Sequence, residues 1–513
     1  MSGFWRRIRE KLLPTTAEPS ATDHDEPGGE IAKGELSAKP RLSALKPARY
    51  FVGLDFGTSG TKVVLRDSLR PADPPVAIDF GTPSKLGFSR FSFPSTVAIC
   101  HGKVLFGSEA ELANCLGLIR VRSMKRSLLG IESRVPETSP QDPGVSRRLW
   151  DGVPGSSLEE KIESLAIAYL AEVIRRSHEV LRDVFEDPAP GEVSIHIDLP
   201  VEKFDAQVKD STEYLEYLQR ARYVASRLET HPRPERLFTL IEESRAAAVR
   251  RVQSDSQARE EVVAEAVAAV AGLGESLRQV TGKNFAVVDI GGGTTDIGIF
   301  RFPTTTKGRA AFYATNMCAK GCDDVDRALC GELGLSDQST KLLYQVRQAK
   351  SDNLGGGDVS NPLPDGIRIG TTHLERAVNS VQPELFRAWE KVARKAYSKD
   401  MQPPEWCELE LYTIGGGALV PPLRETFEEP PTEFVEHVHP NFVRQGFSVR
   451  SAGASRVAPN PERDLGFLLT ALGLSLPKFD RPELVPPQKI EGFRPESGVG
   501  GDYDVDADDL YAK

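Results

Sequence analysis

The chain has 513 residues, enough for two or more domains with buried cores. Its 64 Lys and Arg stand against 74 Asp and Glu, a net charge of −10 that excludes a global basic surface, so no nucleic acid is expected as a partner. No apolar run reaches the ~20 residues of a transmembrane helix. Residues 1–13 carry Arg6, Arg7, Arg9 and Lys11 but no apolar signal-peptide core, so a cytoplasmic protein is expected.

Residues 1–48 read as a flexible extension. Phe4, Trp5, Ile8 and Leu12 fall within about 100° on a helical wheel, among basic residues. Such a face over residues 4–13 suits peripheral contact with a membrane surface or a docking partner, and equally a plain frayed terminus. After Pro14 a Pro-, Ser-, Glu- and Lys-rich stretch reads as linker. Residues 50–65 predict strand, glycine loop, strand, and residues 285–300 repeat that order. Helical patterns cover residues 158–185 and 260–280, the segment 255–283 reading as an added helix. Residues 409–414 form a third apolar strand that runs into Gly415-Gly416-Gly417, and residues 461–474 form a last helix. Strands alternating with helices predict an α/β body, with lobe I over 49–284 and lobe II over 285–480. From residue 481 the chain turns Pro-rich and then acidic (Asp502, Asp504, Asp506, Asp508, Asp509), which predicts a disordered tail over 481–513. Cys100, Cys115, Cys318, Cys322, Cys330 and Cys407 show neither CxxC pairs nor metal-site spacing and are expected to be free thiols.

The two hairpins carry the chemistry. In Gly53-Leu54-Asp55-Phe56-Gly57-Thr58-Ser59-Gly60-Thr61-Lys62, glycines let backbone N–H groups approach phosphate oxygens, and small hydroxyls add donors. Asp55 at the strand end would repel phosphate directly, so its suited task is to hold water on Mg²⁺. One such loop is also an ordinary hairpin turn. Val288-Asp289-Ile290-Gly291-Gly292-Gly293-Thr294-Thr295-Asp296 repeats the order of residue types, and two copies point to duplicated lobes that clamp a nucleotide triphosphate and its metal. Ile414-Gly415-Gly416-Gly417-Ala418 can let the backbone pass close to a base or ribose.

With these motifs the sequence resembles the actin-like ATPase superfamily, and most of all the nucleotide-binding domain of heat shock protein 70 chaperones, over about residues 50–478. Phe93-Pro94-Ser95-Thr96-Val97-Ala98 with Gly107-Ser108-Glu109-Ala110 resembles the chaperone "PS-VAF…G-A" region. Met124-Lys125-Arg126-Ser127-Leu128-Leu129-Gly130 is similar to "AKRLIG", and Ile195-His196-Ile197-Asp198-Leu199-Pro200-Val201 takes the place of "ITVPA". Ile241-Glu242-Glu243-Ser244-Arg245-Ala246-Ala247-Ala248 resembles "INEPTAAA", and Gly321-Cys322-Asp323-Asp324-Val325-Asp326 resembles "GGEDFD". The resemblance implies two ribonuclease H-like lobes with inserted subdomains, and ATP with Mg²⁺ as ligands. By it, Asp55 and Asp289 position the metal, while Gly57, Thr58, Ser59, Gly291, Gly292, Gly293 and Thr294 cradle the phosphates. Lys125 reaches the γ-phosphate, and Glu243 and Asp296 orient water. On residue type alone, Lys125 also fits a solvated surface lysine and Glu243 a helix cap.

The adenosine site departs from the chaperone pattern. Lys350 stands in the adenine-facing helix and Gly415, Gly416 and Gly417 in the turn, but Ser351 and Leu419 replace two arginines, a turn more like that of bacterial actins. The residues after 474 are too few for the peptide-binding domain of the chaperones, which needs on the order of 100 residues. The expected function is therefore an ATP-hydrolysing conformational switch acting on an unidentified partner protein. The alternatives are a self-associating, filament-forming actin-like protein and, less favoured, a sugar-kinase-type phosphotransferase.

Overall fold

Runs rich in Val, Ile, Phe and Tyr, broken by glycine loops, form the strands that organise the molecule. The computed structural model describes residues 48–83, 86, 88–128, 136–138, 143–185, 188–199, 208–254, 260–274, 284–301, 309–335, 346, 369–399, 406–441, 449–454, 456–460, 464–478, 481 and 483–485. β1 (Tyr50–Asp55), β2 (Gly60–Asp67) and β3 (Val76–Asp79) form an antiparallel meander, with β4 (Phe93–Pro94) against the start of β2. A separate four-stranded antiparallel sheet follows, built from β5 (Thr96–Cys100), β6 (Lys103–Phe106), β7 (Ile119–Arg122) and β8 (Glu137–Thr138), with α1 (Gly107–Leu112) packed on it. Next come α2 (Met124–Leu128), α3 (Pro143–Asp151), α4 (Leu158–Phe185), β9 (Val193–Leu199), α5 (Val208–Ala225), α6 (Pro234–Ser254), β10 (Glu260–Ala264) and α7 (Glu265–Gly274).

The second half repeats the scheme: β11 (Asn284–Ile290), β12 (Thr295–Arg301), β13 (Arg309–Cys318), α8 (Cys322–Glu332), α9 (Thr371–Tyr397) and β14 (Glu408–Ile414). A 3-10 turn (Gly416–Leu419), α10 (Pro421–Glu425), β15 (His437–Asn441), β16 (Arg450–Gly453), α11 (Leu465–Leu474) and β17 (Glu483–Val485) complete it. One large sheet has the order β10-β9-β1-β2-β3-β16 and the other β15-β14-β11-β12-β13-β17. The senses correspond as well. In each sheet the central meander is antiparallel, and the two strands on one side and the single strand on the other pair in parallel. The protein is thus mixed α/β with a duplicated sheet.

Each sheet has its own apolar core. Val52, Leu54, Ile195 and Ile197 pack under α4 in the first, and Val288, Ile297 and Trp406 pack with Trp389 of α9 in the second. A further cluster joins the halves, with Val64 and Phe91 from one side, Phe285 and Tyr412 from the other, and α7 and α11 between. The helix α11, placed in lobe II by its position in sequence, packs on β1, β2 and α7, and β16 likewise returns to the first sheet.

Three expectations are corrected. The helix expected over 255–283 is contradicted where the segment is described: Glu260–Ala264 is an edge strand of the first sheet and α7 begins only at Glu265. The β-branched pair Val262-Val263 continues a parallel ladder with β9, and this pairing overrides the helical pattern. Cys100 and Cys115 form a disulfide with Cα atoms 6.1 Å apart, because β5 and the loop before β7 come together; Cys318, Cys322, Cys330 and Cys407 form no disulfide among the described residues. The expected tail over 481–513 is contradicted at its start, since Arg481 is buried in an ion pair with Glu261 and Glu483–Val485 pairs with β13. Residues 1–47 and 486–513 lie outside the described residues, the 4–13 segment included. No helix among the described residues is long and apolar enough to cross a membrane.

The helices α7 and α11 cross without room for side chains. A Cβ on Gly473 would overlap the carbonyl oxygen of Ala268, and one on Gly272 that of Leu469. Gly473→Ala is therefore expected to cost about 1–3 kcal/mol by overpacking, read as a lower urea midpoint at unchanged slope.

Candidate functional site

The duplicated hairpins end at the same place. Loop 56–59 follows β1 and loop 291–294 follows β11, and the two loops face each other across a cleft. Strand register then sets the charges. Asp55 lies opposite Lys62 on β2, with Nζ 2.8 Å from Oδ2, and the corresponding position in the second hairpin puts Asp289 opposite Asp296. Gly292 must be glycine, because a Cβ there would run into the Ser59 hydroxyl. Ser59 Oγ donates toward both carboxylate oxygens of Asp323 at 2.9 and 3.0 Å, tying the first loop to α8. Asp323 N–H in turn donates to Gly292 O at 2.7 Å.

Behind the loops, Lys125 on α2 is only 1% exposed. Its Nζ donates to Asp198 Oδ2 at 2.7 Å and Glu265 Oε2 at 2.9 Å. Asp198 stands at the end of β9, and its other oxygen accepts the Phe56 N–H at 2.5 Å, so one carboxylate ties Lys125 to the first loop. Glu265 opens α7, just past the end of β10. From α11, Thr470 Oγ1 donates to Asp289 Oδ2 at 3.1 Å, and the Phe467 ring lies 4.7 Å from Lys62 Nζ.

Five carboxylates (Asp55, Asp198, Glu265, Asp289 and Asp296) thus gather around two ammonium groups. Burial pushes the Asp55 carboxyl up to about 6 despite Lys62, with Asp198 and Asp289 adding to the rise. Burial also raises Asp289, and raises Glu265 well above the usual carboxylate range although Lys125 opposes it. Burial alone would lower Lys125, but Asp198, Glu265 and Asp55 hold its ammonium well above the ordinary lysine value. Asp55, Asp198 and Glu265 each present an oxygen within 4.8 Å of the others. An all-oxygen donor set with surplus buried negative charge fits a hard divalent cation such as Mg²⁺.

Most of the residues expected from sequence meet here. Asp55, Gly57, Thr58, Ser59 and Lys125 line the cleft from one side, and Asp289, Gly291, Gly292, Thr294 and Gly416 from the other. Asp296 is buried across the β11–β12 pair from Asp289, and Gly293 packs against Thr58 and Arg126. Gly415 and Gly417 back onto Asp289 and Ile290, and Leu419 lines the cleft. Lys350 and Ser351 lie outside the described residues.

Glu243 does not belong to the site. It is exposed on α6, where its carboxylate accepts from Tyr223 OH at 3.4 Å, and Glu265 holds the expected place beside Lys125. Both glutamates precede alanine-rich helical turns. What separates them is the strand before Glu265, which delivers it to the carboxyl edge of the sheet. Asp198, Lys62, Phe467 and Thr470 also went unread, though a single acid in the apolar run Ile195–Leu199 was a visible signal.

No protein-family model and no curated protein sequence matches the chain.

Acidification protonates this cluster in the folded state before the unfolded chain takes up the same protons. The folded state therefore loses stability as pH rises through the raised carboxyl values, and a divalent cation offsets that loss. The rise in melting temperature produced by Mg²⁺ is expected to be largest near pH 8 and to fade as pH falls through about 6. Asp289→Asn should flatten that profile in the same thermal-shift series.

Proposed function

We propose that the chain is a two-lobed actin-like ATPase that binds Mg²⁺–ATP between its two phosphate loops and hydrolyses it as a switch for a partner protein. The observation that carries this reading is the repeated hairpin. Strand by strand the two sheets match, and each sends an Asp and a glycine loop into one cleft.

Loops 56–59 and 291–294 supply backbone N–H groups and the hydroxyls of Thr58, Ser59 and Thr294 to phosphate oxygens. Asp55 and Asp289 come from equivalent strand ends of the two sheets, line the same cleft, and would hold the metal through its water ligands. Mg²⁺ bound there would neutralise charge on the β- and γ-phosphates. Lys125, kept cationic by Asp198 and Glu265, supplies positive charge where negative charge builds up at the γ-phosphate. Glu265, with its raised carboxyl value, is suited to accept a proton from an attacking water or to orient it. Lys62 adds a second cation under the phosphates. The aliphatic Leu419 at the glycine turn gives the base a weaker platform than an arginine does.

Contacts that link the halves across the cleft include Ser59 to Asp323, and Arg126 Nη1 to Asp324 Oδ2 at 3.5 Å. A γ-phosphate entering the loops competes with Asp323 for the Ser59 hydroxyl, so nucleotide state resets this junction and a partner can read the change.

Lys125→Ala should cut single-turnover ATP hydrolysis about 10²–10³-fold while nucleotide affinity changes far less. Glu265→Gln should also slow hydrolysis, whereas Glu243→Gln should leave it at the wild-type rate. Equal losses in the two glutamate variants would overturn the placement of Glu265, and a wild-type chain that binds no Mg²⁺–ATP would overturn the whole reading.

A further inference from the structure

Away from the cleft, the small antiparallel sheet brings together three soft ligands. Cys100 ends β5, His101 follows it in the hairpin turn, and Cys115 lies in the loop between α1 and β7. Their ligand atoms all fall within 4.8 Å of one another, and His101 Nδ1 is 3.8 Å from Cys100 Sγ. The sulfurs sit at the edge of an apolar cluster of Ala98, Ala110, Leu118 and Leu105, with His101 exposed beside them.

The turn is built for this arrangement. Cys100 pairs with Lys103, leaving His101 (φ +49°) and Gly102 (φ +66°) as the two corner residues, both left-handed. Asn-Gly is the usual sequence for such a turn, and His101 takes the Asn place at some cost in backbone energy. That cost holds an imidazole next to a thiol pair at the surface.

We propose that Cys100, His101 and Cys115 form a redox-gated site for a soft d¹⁰ cation of the zinc class. The donor set is two sulfurs and one imidazole nitrogen without a carboxylate, which favours such ions over Mg²⁺ or Ca²⁺. Two thiolates ~2.3 Å from a tetrahedral ion stand about 3.8 Å apart, and an S···N edge is about 3.5 Å. The observed 3.8 Å S···N separation and the 6.1 Å Cα spacing allow this by side-chain rotation alone. Three protein ligands leave the fourth position to water. The disulfide is the closed state. A phosphine supplies two electrons and takes the oxygen of one water to become its oxide, and that water's two protons turn the broken S–S bond into two thiols. On binding, each thiol releases its proton to solvent, and two metal–sulfur bonds and one metal–nitrogen bond form. Oxidation by a small disulfide reforms the protein S–S bond and expels the ion, while the oxidant's own S–S bond breaks and takes up two protons from solvent to give two small thiols.

The test uses the full chain, reduced anaerobically with a phosphine and titrated with Co²⁺ as a spectroscopic probe. A thiolate-to-cobalt charge-transfer band saturating at one ion per chain is expected, bleached by Zn²⁺ and lost when a small disulfide is added. Cys100→Ser and Cys115→Ser should abolish the band. His101→Asn, which keeps the turn, should weaken Co²⁺ binding by at least the ~10–100-fold seen when a mere outer partner of a ligand is removed. Circular dichroism checks that each variant folds. A band that persists in the Cys100→Ser, Cys115→Ser double variant comes from Cys318, Cys322, Cys330 or Cys407 and overturns the proposal. So does a wild-type chain with no band, or a His101→Asn variant that binds as tightly as wild type.

Discussion

An ammonium group almost wholly removed from water needs partners on every side, and Lys125 has them in Asp198 and Glu265. Those partners come from β9 and from the start of α7, while Lys125 itself comes from α2. Removing one carboxylate strands the charge in a medium that cannot solvate it. The pair of contacts therefore fixes three separate segments to one point. The first glycine loop joins the same point through the Phe56 amide on Asp198. The second half reaches it through Asp289, which shares the field of Lys62 and Lys125.

The arrangement follows from the sheet as much as from the side chains. A parallel strand ends with its carboxyl edge at the crevice, and β9, β10 and β14 run parallel to β1 or β11 or to their neighbours. Residues that leave those edges meet there: Asp198, Glu265 and the Gly415–Gly417 turn. Duplication doubles the effect. It places two aspartates at equivalent strand ends, and their excess negative charge is the physical reason why a divalent cation suits the junction.

Both glycine loops, their aspartates, the helix over Leu158–Phe185 and the strand into Gly415 were legible in the sequence, because each is a local pattern of apolar runs and turn residues. Lys125, which lines the cleft, stood out through motif context and not through its own surroundings. Glu265 was missed for a long-range reason. The run Val262-Val263-Ala264 adjoins an alanine-rich helix, and only pairing with β9 reveals it as a strand. Asp198 depends on Lys125 coming within reach from a distant segment, which no spacing rule discloses. The Cys100–Cys115 contact has the same origin, since it relies on β5 and β7 lying side by side.

The return of β16 and α11 to the first sheet has a consequence for how the chain matures. The hairpin β1–β2 is made first, yet the helix that covers it is among the last described segments to be synthesised. Until then the face of the hairpin that carries Gly53 and Val64 lacks its cover, so the first half is not a finished domain when it emerges. A piece cut at the boundary between the halves would expose the same surface. The two halves look like a repeat on paper, but in assembly they are laced: neither is complete until the other has been made.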